Sequence, residues 1–390
     1  MTETRTPPLP KPATPRSGLW LKIVNTLVII GVFFVLYLLF SYAVQSFGLA
    51  YYLVFTLGIL LLYYFVIAAH EIGHVVAGKF VGFQFRYLTI GWLKVESHNG
   101  KLALGRVSTR SLPGGLASMI PTDDRDLRRR LITMISGGPL ANLFVAGLTA
   151  LVYLSIPGGQ QSVVALVFLA ICTLSLTVFG LNLLATLTPF VAGGFPSDGR
   201  LILELLKKSP AADRMCASLA IFNASRSGLR PRDWNDGIVQ QTMRPVDNTL
   251  AYLSGLSVTY YQALDRNEID LASRWIDQII EGLPRVPRAF SANFLLEVTY
   301  FEALYRHDAV AARAHFAQAK EGFQIDQATR ARAEAAVLLA EGQFDIARDV
   351  ALQGLALLDE MSDLGSRLAE KDWLQDIATQ AQNALPISGS

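Results

Sequence analysis

The chain has 390 residues, a formal net charge of +2, and 17% charged against 52% hydrophobic residues. Soluble domains carry roughly a quarter charged residues, so a wholly soluble protein is excluded, and no Lys/Arg run supports nucleic-acid binding. Cys172 and Cys216 are too few and too far apart for a disulfide framework or a metal-ligand pair.

The charge deficit is confined to two stretches. From Ile23 to Gly78 there is no Lys or Arg, and Glu71 is the only acid; from Leu131 to Gly199 the only formal charge is Asp198. Segments 81–130 and 200–390 are charged in the ordinary way. The expected class is therefore mainly α: a polytopic membrane bundle of about four spanning helices with a small β-hairpin insert, followed by a soluble α-helical repeat domain.

In chain order, residues 1–18 are rich in Pro and Thr and read as a disordered cytoplasmic tail. The apolar run after Lys22 outlasts a signal-peptide core, so it reads as a retained first span. Membrane helices need about 20 mainly apolar residues. Segments 20–46, 51–78, 132–156 and 162–189 qualify, within a membrane domain at 19–204. The tail holds Arg5, Lys11, Arg16 and Lys22, and ten basic residues lie from Lys79 to Arg130; the linkers near Gly48 and at 157–161 have none. The positive-inside rule puts tail, insert and C-terminal domain in the cytoplasm. The expectation is an integral, multi-pass protein of a bacterial plasma membrane with both termini cytoplasmic. "DLRRRL" at 126–131 reads as a juxtamembrane charge clamp.

The second span contains "HEIGH", residues 70–74. At 1.5 Å per residue His70 lies roughly 13 Å along the helix from Lys79, inside the bilayer slab. Charged groups there are costly and mark function. Residues four apart share a helix face, so His70 and His74 can offer two nitrogens to one ion, with Glu71 beside them as general base at a bound water. Catalytic zinc usually takes three protein ligands. The remaining charged residue of the membrane half is Asp198, in "TPFVAGGFPSDGR" after the fourth span. Gly193, Gly194 and Pro196 break the helix there and let the chain turn Asp198 back to the ion; a solvated loop-end aspartate is the alternative. "ISGGPLANLF" at 135–144 opens the third span: Gly137 and Gly138 permit close helix packing, and Pro139 suits an early helical position. Asn142 can hold the scissile carbonyl or oxyanion, or make an interhelical hydrogen bond. Thr186 and Thr188 of the fourth span are expected to bond their own helix.

"HEIGH" in a span, "GGPLAN" opening a later one and "SDGR" after a fourth together resemble the site-2 protease family of intramembrane zinc metallopeptidases, over about residues 50–205. The resemblance implies one Zn2+ per chain on His70, His74 and Asp198, Glu71 as base, and a membrane-protein substrate cut in or near its spanning helix. Thr186 stands where the family commonly has Asn, three residues before Pro189, and the nearest Asn is Asn182. No PDZ-like insert is legible.

In the insert, 81–130, "HNG" at 98–100 between β-prone runs signals a hairpin. Its edge can receive an unwound substrate by β-addition, or the hairpin can seal the interface. "SLPGGLAS" at 111–118 reads as a flexible loop, and His98 as a turn residue. In 205–390, segments 260–279, 300–319 and 335–354 repeat weakly, with Ala272, Ala312 and Ala347 in matching positions. This resembles the tetratricopeptide class, which binds partners along a concave face: a substrate tail, a regulator or an identical chain. A plain helical domain is the alternative. His307 and His315 read as surface residues. The function expected is a zinc-dependent intramembrane endopeptidase; the alternative is a non-catalytic zinc-binding membrane scaffold acting through its helical domain.

Overall fold

A computed structural model describes residues 41, 58, 61–98, 101–106, 114–155, 163–192, 195–247, 249–286, 288–319 and 325–385. The expected first span, 20–46, and most of 51–60 lie outside the described residues, Ser41 and Gly58 excepted. The chain divides into two compact units, with the change at Ser209/Pro210.

The first unit is built on apolar helices. Helix α1 (Leu61–Phe80) and helix α2 (Leu127–Ser155) are each long and apolar enough to cross a membrane. Helix α3 (Val163–Leu187) coincides with the expected fourth segment, and Leu174–Leu187 within it is apolar. The outward faces are apolar too: Phe65, Ile72 and Val76 on α1 and Leu140, Phe144 and Leu151 on α2 are exposed. Val66, Ala146 and Phe179 are buried together where α1, α2 and α3 meet. Close approach of α1 and α2 rests on missing side chains. A Cβ added at Gly73 would lie 2.3 Å from the Gly137 carbonyl oxygen, and one at Gly137 equally close to the Gly73 oxygen. The expected close packing at Gly137 is thus present.

Two expectations for this unit need correction. Pro139 lies inside α2, which starts at Leu127 after Asp126 (φ +47°) and carries the arginines of 128–130 as its first turn. Apolar helices tolerate such a proline where neighbouring helices satisfy the freed backbone. The insert is a four-stranded antiparallel sheet, more than a hairpin. Strands β1 (Phe83–Ile90), β2 (Leu93–His98), β3 (Lys101–Arg106) and β4 (Gly115–Pro121) lie in the order β3-β2-β1-β4. Gly91, whose φ of +57° allows a tight turn, separates β1 from β2. The β2/β3 hairpin is present, with His98 paired to Lys101. Residues 115–118, expected as loop, belong to β4, which pairs with β1 from Phe83↔Pro121 to Ile90↔Gly115.

After α3, a short ribbon pairs β5 (Val191–Ala192) with β6 (Phe195–Pro196), and helix α4 (Asp198–Leu206) follows. Ser197 ties this together. Its hydroxyl donates to the Thr188 carbonyl at 2.6 Å and accepts from the Phe190 and Arg200 amides. It is the N-cap of α4. Thr186 and Thr188 donate to carbonyls of their own helix, Leu183 and Leu184, as expected.

The second unit is helical. After α5 (Pro210–Arg226) and α6 (Asp236–Thr242), three helix pairs follow: α7 (Leu250–Asp265) with α8 (Ile269–Gly282), α9 (Arg288–Leu304) with α10 (Ala309–Gln318), and α11 (Gln327–Ala340) with α12 (Phe344–Leu357). Ala272, Ala312 and Ala347 are the fourth residues of α8, α10 and α12, and each is fully buried. Each pair turns through a residue of positive φ five positions earlier: Asn267 (+59°), His307 (+54°) and Gly342 (+76°). His307 is exposed as expected, whereas His315 is half-buried. Helix α13 (Leu364–Ala384) closes the unit, placing Leu374 and Ile377 in a core with Tyr260, Ile276 and Phe301. Within it the fully buried Arg332 donates to Glu297 and Glu370, both at 2.7 Å, and stacks on Tyr300 and Trp373.

Candidate metal centre

His70, His74 and Asp198 converge, with one ligand atom from each lying within 4.8 Å of the others. His70 Nε2 is 2.9 Å from Asp198 Oδ2, His74 Nε2 is 3.5 Å from the same oxygen, and the two Nε2 atoms are 3.2 Å apart. Ligands about 2.0–2.1 Å from a tetrahedral zinc stand about 3.3 Å from one another, so the triangle has the size of a zinc face.

The surroundings of the three ligand atoms suit a cation. His74 Nδ1 faces the Met134 carbonyl at 3.0 Å. The Gly138 amide approaches the same nitrogen at 3.3 Å, so α2 holds the ring from behind while Nε2 faces His70 and Asp198. Asp198 Oδ2 is buried, and the groups facing it are the two imidazole nitrogens. A buried carboxylate oxygen and two imidazole nitrogens thus crowd one space, an arrangement that a positive charge among them stabilises. Two imidazoles and a carboxylate are a donor set suited to zinc.

Asn142 is wholly buried on α2, 3.0 Å from His70 Nδ1 and 2.6 Å from Asn182 Oδ1 on α3. For His70 to offer Nε2 to a metal, Nδ1 must carry a proton and find an acceptor. The Asn142 Oδ1 is buried and unpartnered. Turning the amide by half a rotation presents that oxygen to Nδ1–H, and the Asn182 amide, turned likewise, then donates to it. The structure places Asn142 in the interhelical hydrogen bond that was the alternative reading. Asn182, the Asn nearest the Thr186 position in the sequence, joins the site through Asn142; its signal is an amide in an apolar span, one turn before Thr186.

Space beside the ligands is again a matter of glycine. A Cβ at Gly138 would lie 2.5 Å from His74 Nε2 and 2.7 Å from His70 Cε1. One at Gly115, the first residue of β4, would lie 2.5 Å from Glu71 Oε1. Glu71 is 8% exposed, and the Ala117 backbone amide of β4 hydrogen-bonds its carboxylate. Strand β4 has β1 on one side only, so its other edge is unpaired among the described residues. The loop expected at 111–118 thus contributes the strand that borders Glu71.

Two helix-borne imidazoles, a carboxylate from a following helix and a buried glutamate beside them are the parts of a metallohydrolase centre on an apolar scaffold. The model of peptidase family M50 matches residues 57–354, and the chain belongs to that family. The match begins just before α1 and reaches through most of α12. No curated protein and no solved structure matches the chain.

Proposed function

We propose that the chain is a zinc-dependent intramembrane endopeptidase that hydrolyses a peptide bond in or near the spanning segment of a membrane-protein substrate. The observation that carries this reading is the convergence of His70, His74 and Asp198 beside a buried Glu71 on an apolar helix. Family membership and two helices apolar enough to span support it.

His70 and His74 through Nε2, and Asp198 through Oδ2, would hold the ion. Bound zinc supplies Lewis acidity, which polarises a carbonyl and acidifies water. Glu71 accepts the proton of the attacking water and returns it to the leaving amine nitrogen. Asn142 first fixes the His70 tautomer; with its oxygen so used, its N–H group is the donor available to an oxyanion. The open edge of β4 offers backbone groups to an extended substrate strand. This moves the substrate edge from the hairpin expected at 98–100 to the strand that borders Glu71.

The protein lies in the membrane as a multi-pass chain with both termini in the cytoplasm. The helix pairs of the second unit recognise a protein: a substrate's cytoplasmic tail, a regulator or a second copy. The test is co-expression of candidate single-span proteins with wild type or Glu71→Gln, followed by sequencing of the fragments. Wild type cuts and E71Q does not; equal cutting by both overturns the proposed chemistry.

A further inference from the structure

Next to the junction of α1 and α2 lies a cavity of about 550 Å³, lined by Val81, Gly82, Asp123, Arg125, Arg129 and Arg130 among others. Its level in the membrane follows from the sequence. No Lys or Arg occurs from Ile23 to Gly78, and no formal charge from Leu131 until Asp198. The cavity therefore sits just where two apolar helices end and charge resumes, which is headgroup depth. Phe80, 86% exposed, marks the same boundary.

The neighbouring arginines have separate tasks. Arg130 is spent on structure: it donates to the Val81, Gly82 and Arg125 carbonyls and to Asp123, clamping the end of α1 to the start of α2. Arg128 reaches the Leu205 carbonyl of α4. Arg125 and Arg129 are exposed on the cavity wall, and neither guanidinium has a hydrogen-bond or ion-pair partner among the described residues. Asp123 pairs with Arg130 at 2.8 Å and also feels the Arg125 charge; against Asp123 and Asp126 the lining sets Arg125, Arg129 and Arg130. One positive charge is left, and the first turn of α2 contains no acid to oppose it. Basic pockets between spanning helices on the cytoplasmic side suit anionic headgroups.

We propose that this cavity is a binding site for the phosphodiester headgroup of an anionic phospholipid, with Arg125 and Arg129 as its phosphate contacts. The singly charged phosphate complements the remaining positive charge, and the acyl chains continue along the exposed apolar faces of α1 and α2. The site is independent of the metal centre and of proteolysis.

The test is native mass spectrometry of the full chain in detergent, titrated with phosphatidylglycerol or phosphatidylcholine. Wild type, Arg125→Gln, Arg129→Gln and Arg106→Gln are compared; Arg106 lies on strand β3 and controls for loss of one positive charge. A juxtamembrane arginine contributes about a fivefold preference. The expected result is that R125Q and R129Q each lose phosphatidylglycerol adducts about fivefold while R106Q matches wild type. If all three variants lose alike, the attraction is diffuse and the site is overturned. A phosphatidylcholine titration that fills the site equally, or displacement of the lipid by millimolar inorganic phosphate, overturns the anionic-lipid assignment.

Discussion

Asp198 Oδ2 stands 2.9 Å from His70 Nε2, although α1 and α4 are separated in sequence by the sheet and two long helices. The contact depends on Ser197, which caps α4 and anchors it to the end of α3. It also depends on Gly138, whose missing side chain lets α2 lie against both imidazoles.

His70 is held from behind by Asn142, and Asn142 by Asn182. Removing the groups that orient a metal-ligating histidine typically costs 10–100-fold in affinity. Asn142→Ala is expected to weaken zinc binding by about that factor, and Asn182→Ala by less. Asn142→Asp, which restores an acceptor for Nδ1–H, is expected to recover most of it. Competition with a chromogenic chelator measures all three, and equal losses in N142A and N142D would mean that the amide serves packing alone.

The second unit makes a pH prediction. Burial, helped by the neighbouring Glu297 and opposed by Arg332, pushes the Glu370 carboxyl up from 4.5 to about 7. Between those values the folded chain holds a proton that the unfolded chain has released. Stability from this group is therefore full below about pH 4.5 and falls as pH rises towards 7, by on the order of 2–3 kcal/mol. Denaturant unfolding at pH 5 and pH 7.5 should show the decline, and Glu370→Gln should flatten it.

The repeated turns give a third prediction. His307 has φ +54° where the third pair has Gly342 at +76°. A side chain in that region costs roughly 1 kcal/mol, part of which glycine returns as backbone entropy. His307→Gly is expected to stabilise the unit by about 0.5 kcal/mol and Gly342→Ala to destabilise it by about 1 kcal/mol. Denaturation midpoints followed by tryptophan fluorescence measure both, and a shift of opposite sign in either would show that these turns are not equivalent.

Much of the centre was legible in the chain. The spacing of His70, Glu71 and His74 announces one helix face, and the scarcity of charge from Leu131 to Gly199 leaves Asp198 as the partner. Gly137 and Gly138 announce close helix contact, and the helical alanines announce the three turns. What was illegible depends on pairing across distance. Nothing local in "SLPGGLAS" shows that residues 115–118 complete a sheet with β1, because the partner strand satisfies their backbone only after folding. The cap at Ser197 and the amide chain from Asn182 to His70 likewise arise only when helices meet.

The most direct test of the account is the zinc content of the purified full chain, with absorption spectroscopy to count its ligands. Wild type and Glu71→Gln are expected to bind one zinc per chain with nitrogen and oxygen ligands; His70→Ala, His74→Ala and Asp198→Ala are expected to bind little. Stoichiometric zinc with unchanged coordination in D198A, or none in wild type, would contradict it.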